Sequence, residues 1–400
     1  MFKGSASYEV QVRQEGRWRI EASFTEEQAA LSCARAQLVG HGIQEVKVYK
    51  ARSLAGLAIQ TVIFQRKAPE IKDKPLGLAG SPEGAPFCTA VADLYGFESR
   101  VVMGRMLRQF LDKFRITQTE LLHGWTYARK LDEQGTLIGA AVHAVARHHA
   151  DLGKANASAR VKELRALVDQ AMVKARDFAA ERKRLPAFDP KDLSGSSRRI
   201  EDAVGPAEHD YVFLGFLTLH LSDSNSLGGK VEMLLDLMAE GLEPRLNALL
   251  EGVIADALGS VDLIKELLGA QANLADGLCA LADVLHGRAA DPKLEPVGRS
   301  LARIGGLTVA GHAPCCRSVL VDRLRSSLNS DQPLDRRDAM AESGLIEKVV
   351  AHLKGADGAL LGGAETEKAL ARRLLRHRQA LLRRQGMHDI ADSLAATRPP

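Results

Sequence analysis

The chain has 400 residues, 46 % of them hydrophobic and 26 % charged, with a formal net charge of +4. That length exceeds one ordinary core and calls for two or three domains. The balance is that of an ordinary globular protein, and so small a net charge excludes a general affinity for nucleic acid as the default reading.

Residues 1–67 differ in kind from the rest. Tyr8, Val10 and Val12 alternate with polar neighbours, and after Gln14-Glu15-Gly16 so do Trp18, Ile20, Ala22 and Phe24. Two alternating runs about a glycine-containing break predict a β-hairpin. Thr25 and Gln28 have capping-box spacing, so a helix follows to about Val39, stopped by Gly40 and Gly42. Val46, Val48 and the run Ile59 to Phe64 supply two more strands. The order is β-β-α-β-β, a small α+β module whose aromatics are expected in its core against the helix.

Residues 68–86 hold four prolines and three glycines and read as a linker. From Phe87 onward the chain reads as a predominantly all-α, multi-helix region, as the abundance of Ala and Leu favours. One helix is expected from about Glu98 to Phe114. Thr117 and Glu120 form a capping box for the next, and Gly135 opens a third. Ala159 to about Leu185 is the longest helix. Val161, Leu164, Val168, Ala171, Ala175 and Phe178 repeat there at the coiled-coil period. That face is either a bundle seam or a homodimer seam through residues 159–185. Residues 186–207, with three prolines and SGSSRR, read as a loop or second domain boundary between helical regions 87–185 and 208–400.

The most apolar stretch is 211–269. Leu246, Leu250, Val253, Ile254 and Leu258 form one helix face between Pro244 and Gly259, and Ser260 begins a second short helix ending at Gly269. Such a face has to be covered by other helices. Further helices are expected around 274–285, 298–309, 317–328, 338–353 and 365–384. No residue pattern returns at a fixed period, so the region is not a solenoid.

Chemical motifs are sparse, and no catalytic, cofactor-binding or metal site is assigned. Nucleotide-binding glycine motifs and the GxSxG elbow are absent. Gly362-Gly363 joins two helices and reads as an interhelical loop. His143, His148 and His149 have spacings of 5, 6 and 1, which excludes HExxH zinc chemistry. His148 and His149 lie near a helix end, where imidazolium is favourable. His209 and His220, with Asp210 and Asp223 beside them, are about 16 Å apart along a helix, too far for one metal. The five cysteines are Cys33, Cys88, Cys279, Cys315 and Cys316. An odd number with two adjacent excludes a disulfide framework and suits a reducing cytoplasm. Cys315 and Cys316 with His312, joined by Cys279 and His286, are the one candidate thiolate–imidazole site.

Charge is uneven. Residues 1–67 carry a net +4, residues 365–386 a net +5, and residues 68–364 a net −4. The basic ends can meet a protein, an RNA or the chain's own middle. No signal-peptide core and no run of about 18 apolar residues is present, so a cytoplasmic chain without a membrane span is expected. The leading expectation is a non-catalytic cytosolic adaptor or regulatory protein acting through protein–protein contacts. The alternatives are a nucleic-acid-binding protein using residues 1–67 and the helix 365–386, and a metal- or thiol-dependent enzyme.

Overall fold

In the computed structural model, which describes residues 7–14, 17–38, 43–54, 57–67, 76–238, 241–288, 296–338 and 342–396, the alternating segments are strands. β1 (Ser7–Gln14) and β2 (Arg17–Phe24) precede α1 (Glu27–Gln37), and β3 (Ile43–Leu54) and β4 (Leu57–Lys67) follow it. The Glu15-Gly16 break, the stop at Gly40 and Gly42, and residues 68–75 of the linker lie outside the described residues. The chain divides into two compact units, Met1–Pro75 and Leu76–Pro400.

The first unit is one antiparallel sheet in the order β2-β1-β3-β4. Val10, Val12, Val46 and Val48 bury one face against Ala30 and Ala34 of α1. The alternation in β2 does not hold along its length. Ala22 pairs with Val10, yet Ile20 pairs with Gln11, so Glu21 is an extra residue in a β-bulge. A one-residue slip turns every following side chain to the other face. Phe24 and Ala22 therefore stay on the helix side, while Ile20 and Trp18 turn to the open side. Tyr49, opposite Glu9, is on that side too. The expectation of aromatics gathered under the helix thus holds for Tyr8, Phe24 and Phe64 and fails for Trp18 and Tyr49.

The second unit is helical. Residues 76–86, expected to be linker, are anchored instead. Leu76 and Leu78 pack on the helices, Ala85 is buried, and Ala79 N–H donates to Met106 O at 2.9 Å. That bond takes a carbonyl freed where the expected helix 98–114 breaks at Leu107 into α2 (Phe97–Met106) and α3 (Arg108–Phe114). The Thr117–Glu120 box forms in both directions and starts α4 (Gln118–His123). Gly124 interrupts before α5 (Trp125–Asp132), and Gly135, at φ +64°, turns the chain into α6 (Thr136–Asp151). Only glycine takes that backbone readily.

The longest helix, α7 (Ala157–Glu181), is capped by Asn156. Its heptad face points inward: Leu164, Ala171, Ala175 and Phe178 are buried within the unit. Phe178 lies so close to α9 (Pro206–Leu221) that a Cβ at Gly215 would sit 2.6 Å from its ring. The buried part of the seam is therefore filled by the bundle's own helices.

The 186–207 segment is not a loop throughout. Asp192 caps α8 (Leu193–Val204), with Gly195 N–H donating to its Oδ1 at 2.9 Å. Leu193, Ser196, Ser197 and Ile200 share its buried side. Composition suggested a loop because Ser and Gly favour one; a cap and a buried stripe outweigh that preference.

After α9 come α10 (Leu227–Leu237), α11 (Pro244–Leu258), α12 (Val261–Leu268), α13 (Leu274–Leu285) and α14 (Pro296–Val309). Then α15 (Pro314–Asn329), α16 (Glu342–Leu353), α17 (Gly363–Arg384) and the unexpected α18 (His388–Ala396) complete the unit. The stripe read in 211–269 is the middle of the main core: Phe213, Leu217, Leu246, Leu250 and Leu258 are fully buried. Ser260 precedes α12 as expected, but its side chain makes no capping bond.

Two buried ion pairs span the 186–207 segment. Lys230 Nζ of α10 donates to Glu120 Oε1 and to Arg115 O, both at 2.7 Å. Arg115 is the one described non-glycine residue with positive φ, +52°, and its carbonyl is thereby held. Arg100 Nε of α2 donates to Asp256 Oδ1 of α11 at 3.0 Å. Asp256 Oδ2 accepts the N–H and the hydroxyl of Thr119 at 2.9 and 2.7 Å, filling the start of α4.

Candidate functional site

The thiol cluster comes first, because its residue types suggest chemistry most directly. Cys316 lies near the start of α15, where helix amides would normally stabilise a thiolate. A carboxylate already occupies that position. Glu251 of α11, 1 % exposed, accepts the Cys316 N–H at 2.6 Å, and the Cys316 thiol donates to the Glu251 carbonyl at 3.5 Å. Burial, then the Glu251 carboxylate, pushes the Cys315 thiol up to about 12 and Cys316 in the same direction. Burial also raises Cys279. His312 is exposed, and His286 Nε2 lies 3.2 Å from Leu353 O. Among the described residues no group of three or more His, Cys, Asp or Glu side chains is placed to hold a metal ion.

The histidines act as structural ties. His149 is buried rather than solvated at its helix end. Its Nε2 lies 3.1 Å from Ala85 O, and its Nδ1 accepts from Arg160 Nε at 3.2 Å. Arg160 also donates to Cys88 O at 2.8 Å and stacks over Phe87, 4.0 Å from the ring centroid. Burial, aided by Arg160 nearby, lowers the His149 pKa. The expected imidazolium is thereby corrected: a neutral ring fastens residues 85–88 to α6 and α7.

His209 is fully buried in α9. Ser197 Oγ of α8 is 2.8 Å from its Nε2, and Asp210 Oδ1 is 2.8 Å from its Nδ1. Arg245 Nε donates to the same Asp210 oxygen at 2.8 Å. The order of atoms is that of a Ser-His-Asp triad, which the sequence reading missed because Ser197 stands in no nucleophile motif. Ser197 is only 5 % exposed, and neither it nor His209 lines either of the two cavities described below. A nucleophile has to be reachable by substrate. The chain Ser197–His209–Asp210–Arg245 instead docks α8, α9 and α11 together. His220, at the far end of α9, faces Asp223 at 4.0 Å.

His123 of α4 is packed between Tyr95 and Tyr211, with ring centroids 5.4 and 4.6 Å away. Its Nδ1 meets Thr119 O at 2.8 Å, and its Nε2 has no hydrogen-bond partner. Burial lowers its pKa to about 3.

The basic helix α17 turns part of its charge inward. Arg373 is 4 % exposed. It donates to Glu342 Oε1 at 2.8 Å and to the carbonyls of Ser327, Leu328, Ser330 and Gln332. Arg376 donates to Leu328 O, Asn329 O and Asp331. The carbonyls of Ser327, Leu328 and Asn329 end α15 and those of Ser330 and Gln332 follow it, and two guanidinium groups satisfy them. Lys368 pairs with Glu365 and Arg383 with Asp392, while Arg372 and Arg378 are exposed. A cavity of about 250 Å³ adjoins Arg373, Arg376, His377 and Asp331. Two cations of the positive stretch, Arg373 and Arg376, thus meet the chain's own middle.

The open face of the N-terminal sheet is different. Its rungs run Trp18, Arg13, Glu45, Lys67; then Ile20, Gln11, Lys47, Gln65; then Ser23, Glu9, Tyr49, Val62. Trp18 is 37 %, Ile20 61 % and Val62 42 % exposed. Lys47 Nζ sits 4.5 Å from the Trp18 ring. Glu45 is buried beneath Arg13 at 3.8 Å and accepts from Gln65 at 2.5 Å. No helix of the described unit packs on this face, and Ile20 and Val62 are its most exposed apolar side chains. The sequence held the signal only indirectly, since the bulge that exposes Trp18 and Ile20 has no local motif.

No protein-family model matches the chain, and neither the curated proteins nor the solved structures contain a match to it.

Proposed function

We propose that this chain is a non-catalytic adaptor or regulatory protein, acting in the cytosol through protein–protein contacts, with its N-terminal unit as the recognition module. One observation carries the reading: Trp18, Ile20 and Val62 stand exposed on the sheet face opposite α1. Trp18 and Ile20 are neighbours on the edge strand β2, with Val62 on the opposite edge strand β4, and exposed large apolar side chains that gather on a surface mark interaction sites. The face also offers Tyr49, Arg13 and Lys47 around them, and Trp, Tyr and Arg dominate binding energy at protein interfaces. The helical unit supports the same reading from the other side, since burial favours the thiol forms of Cys315 and Cys316 and its triad-like chain is enclosed.

The alternative partner is nucleic acid. Aromatics beside cations suit stacked bases. Glu9 and Glu45, however, stand in the same rungs as Tyr49 and Trp18 and oppose phosphate. Arg373 and Arg376 are engaged with α15, which leaves the helix 365–386 fewer free cations than its composition promises. A protein partner is the better fit.

The test is a native pull-down with the full chain, its Ile20→Glu and Trp18→Ala variants, and a chain beginning at Leu76. Starting at Leu76 keeps Leu76 and Leu78 on the helices they cover. A protein captured by the full chain and lost from all three supports the reading. A protein retained by both point variants moves recognition away from the sheet face. Nucleic acid recovered in place of protein, with affinity falling steeply in salt, sinks the protein-contact reading.

A further inference from the structure

We infer that the helical unit binds a small, neutral, apolar molecule in a cavity lined by α2, α4, α5, α6, α7 and residues 85–94. The cavity measures about 170 Å³. Protein interiors seldom leave a void much larger than a water molecule. An apolar cavity of roughly 150 Å³ stays dry and takes up benzene or xenon. This site has that size, and it is independent of the sheet face and of the protein-contact reading.

The lining fixes the ligand's chemistry. No charged side chain borders the cavity, and the polar ones are Cys88 and Ser99. Both are engaged elsewhere: Ser99 Oγ donates to Asp93 O at 2.6 Å, and the Cys88 thiol lies 3.4 Å from Ser99 Oγ and 3.6 Å from Pro86 O. A water needs two to four polar partners to settle there, and a charged head group would be buried without a counter-ion. The occupant is therefore a hydrocarbon-like group of about one ring's bulk.

Three features keep the space open and adaptable. Ala128, Ala141 and Ala171 face it from α5, α6 and α7, where larger side chains would fill it. The surrounding helices are fixed at their ends by polar ties, His149 with Arg160 and Ala85, Arg100 with Asp256, and Lys230 with Glu120. Collapse onto the void would break them, and how far a site can collapse decides whether a cavity persists. Three of the chain's eight methionines, Met103, Met106 and Met172, lie on the wall. Flexible, polarisable thioethers let one pocket fit differing apolar shapes.

The experiment uses the full chain with carbon-13 labelled methionine methyls, titrated with benzene, with n-hexane and with benzoate. Benzene and hexane are expected to move the resonances of Met103, Met106 and Met172 and leave Met233, Met238 and Met387 in place. Benzoate is expected to move none. Ala141→Leu should weaken benzene binding by about tenfold or more. If that variant fails to fold, Ala171→Val carries the same prediction with less added volume. The inference is overturned if neither hydrocarbon moves the three wall methyls, if all methionines move alike, if benzoate acts as benzene does, or if a folded cavity-filling variant binds benzene unchanged.

Discussion

The two units use charge in opposite ways. In the N-terminal unit each ion pair keeps at least one partner at the surface: Lys50 with Glu27 at 2.9 Å, Arg19 with Glu21 at 3.5 Å, and Arg13, half exposed, over the buried Glu45. Such pairs contribute little, because water and salt screen them. In the helical unit Arg100–Asp256, Lys230–Glu120 and Arg373–Glu342 are buried. Each also holds backbone groups at helix ends, where four amides or carbonyls lack partners. The sheet satisfies its backbone through the ladder except along the outer edges of β2 and β4, which face outward rather than into a core. A many-helix unit with short helices has dozens of such orphan groups, and buried side chains meet part of that need. The difference teaches that charge in the first unit remains available for recognition, whereas in the second much of it is structural.

The sharpest way to break this comparison is Asp256→Ala. It leaves Arg100 buried without its carboxylate and strips the start of α4. We expect a loss of about 3–5 kcal/mol in the helical unit, with the N-terminal unit's unfolding unchanged, read by denaturant titration. A loss under about 1 kcal/mol would mean the buried pair is no more structural than a surface one.

Acid provides the next largest effect. His123 binds its proton at about 3 in the folded chain and at about 6.5 when unfolded. The unfolded state therefore holds more protons between these values, and stability falls as pH drops through that window, by up to about 1.4 kcal/mol per pH unit. Above pH 6.5 the term vanishes. His149, lowered in the same direction, adds to the slope. Unfolding curves from pH 7 to pH 4 should be steeper for the parent than for His123→Phe; equal slopes would contradict the burial argument.

Ser197→Ala comes third. It removes a hydroxyl from fully buried His209, and about 1–3 kcal/mol should be lost. If esterase activity toward a small activated ester accompanied the parent and vanished in the variant, the enclosed chain would be catalytic after all. Ile20→Glu is the smallest: within about 0.5 kcal/mol in stability, with its effect confined to partner binding. A large destabilisation would show that Ile20 is covered, and that the open face is not open.

Much of the fold was legible along the chain. The β-β-α-β-β order, the Thr117–Glu120 box and the stripe through Leu246, Leu250 and Leu258 are local patterns, with periods of 2 and 3.6 set by strand and helix geometry. Helix 98–114 was read too long and 186–207 too loose. At the break at Leu107 the freed Met106 carbonyl is taken by Ala79, and α8 buries Ser197 against His209 of α9; neither partner lies in the helix concerned. Less of the site was legible. The bulge at Glu21 changes which face Trp18 and Ile20 occupy without changing a single residue type.

By itself, then, the sequence determined the classes of element, the capping residues that start several of them, and the stretch that becomes the main core. Hydrophobic period and capping are fixed by residues within one or two turns of each other, so they can be read from order alone. The tertiary structure alone decided which side chains are reachable. It placed Glu251 against the amide of Cys316, joined Ser197 to His209, turned Arg373 and Arg376 onto α15, and left a cavity among three alanines. Each of these depends on the distance between residues far apart in the chain, and that distance is set by how the helices pack.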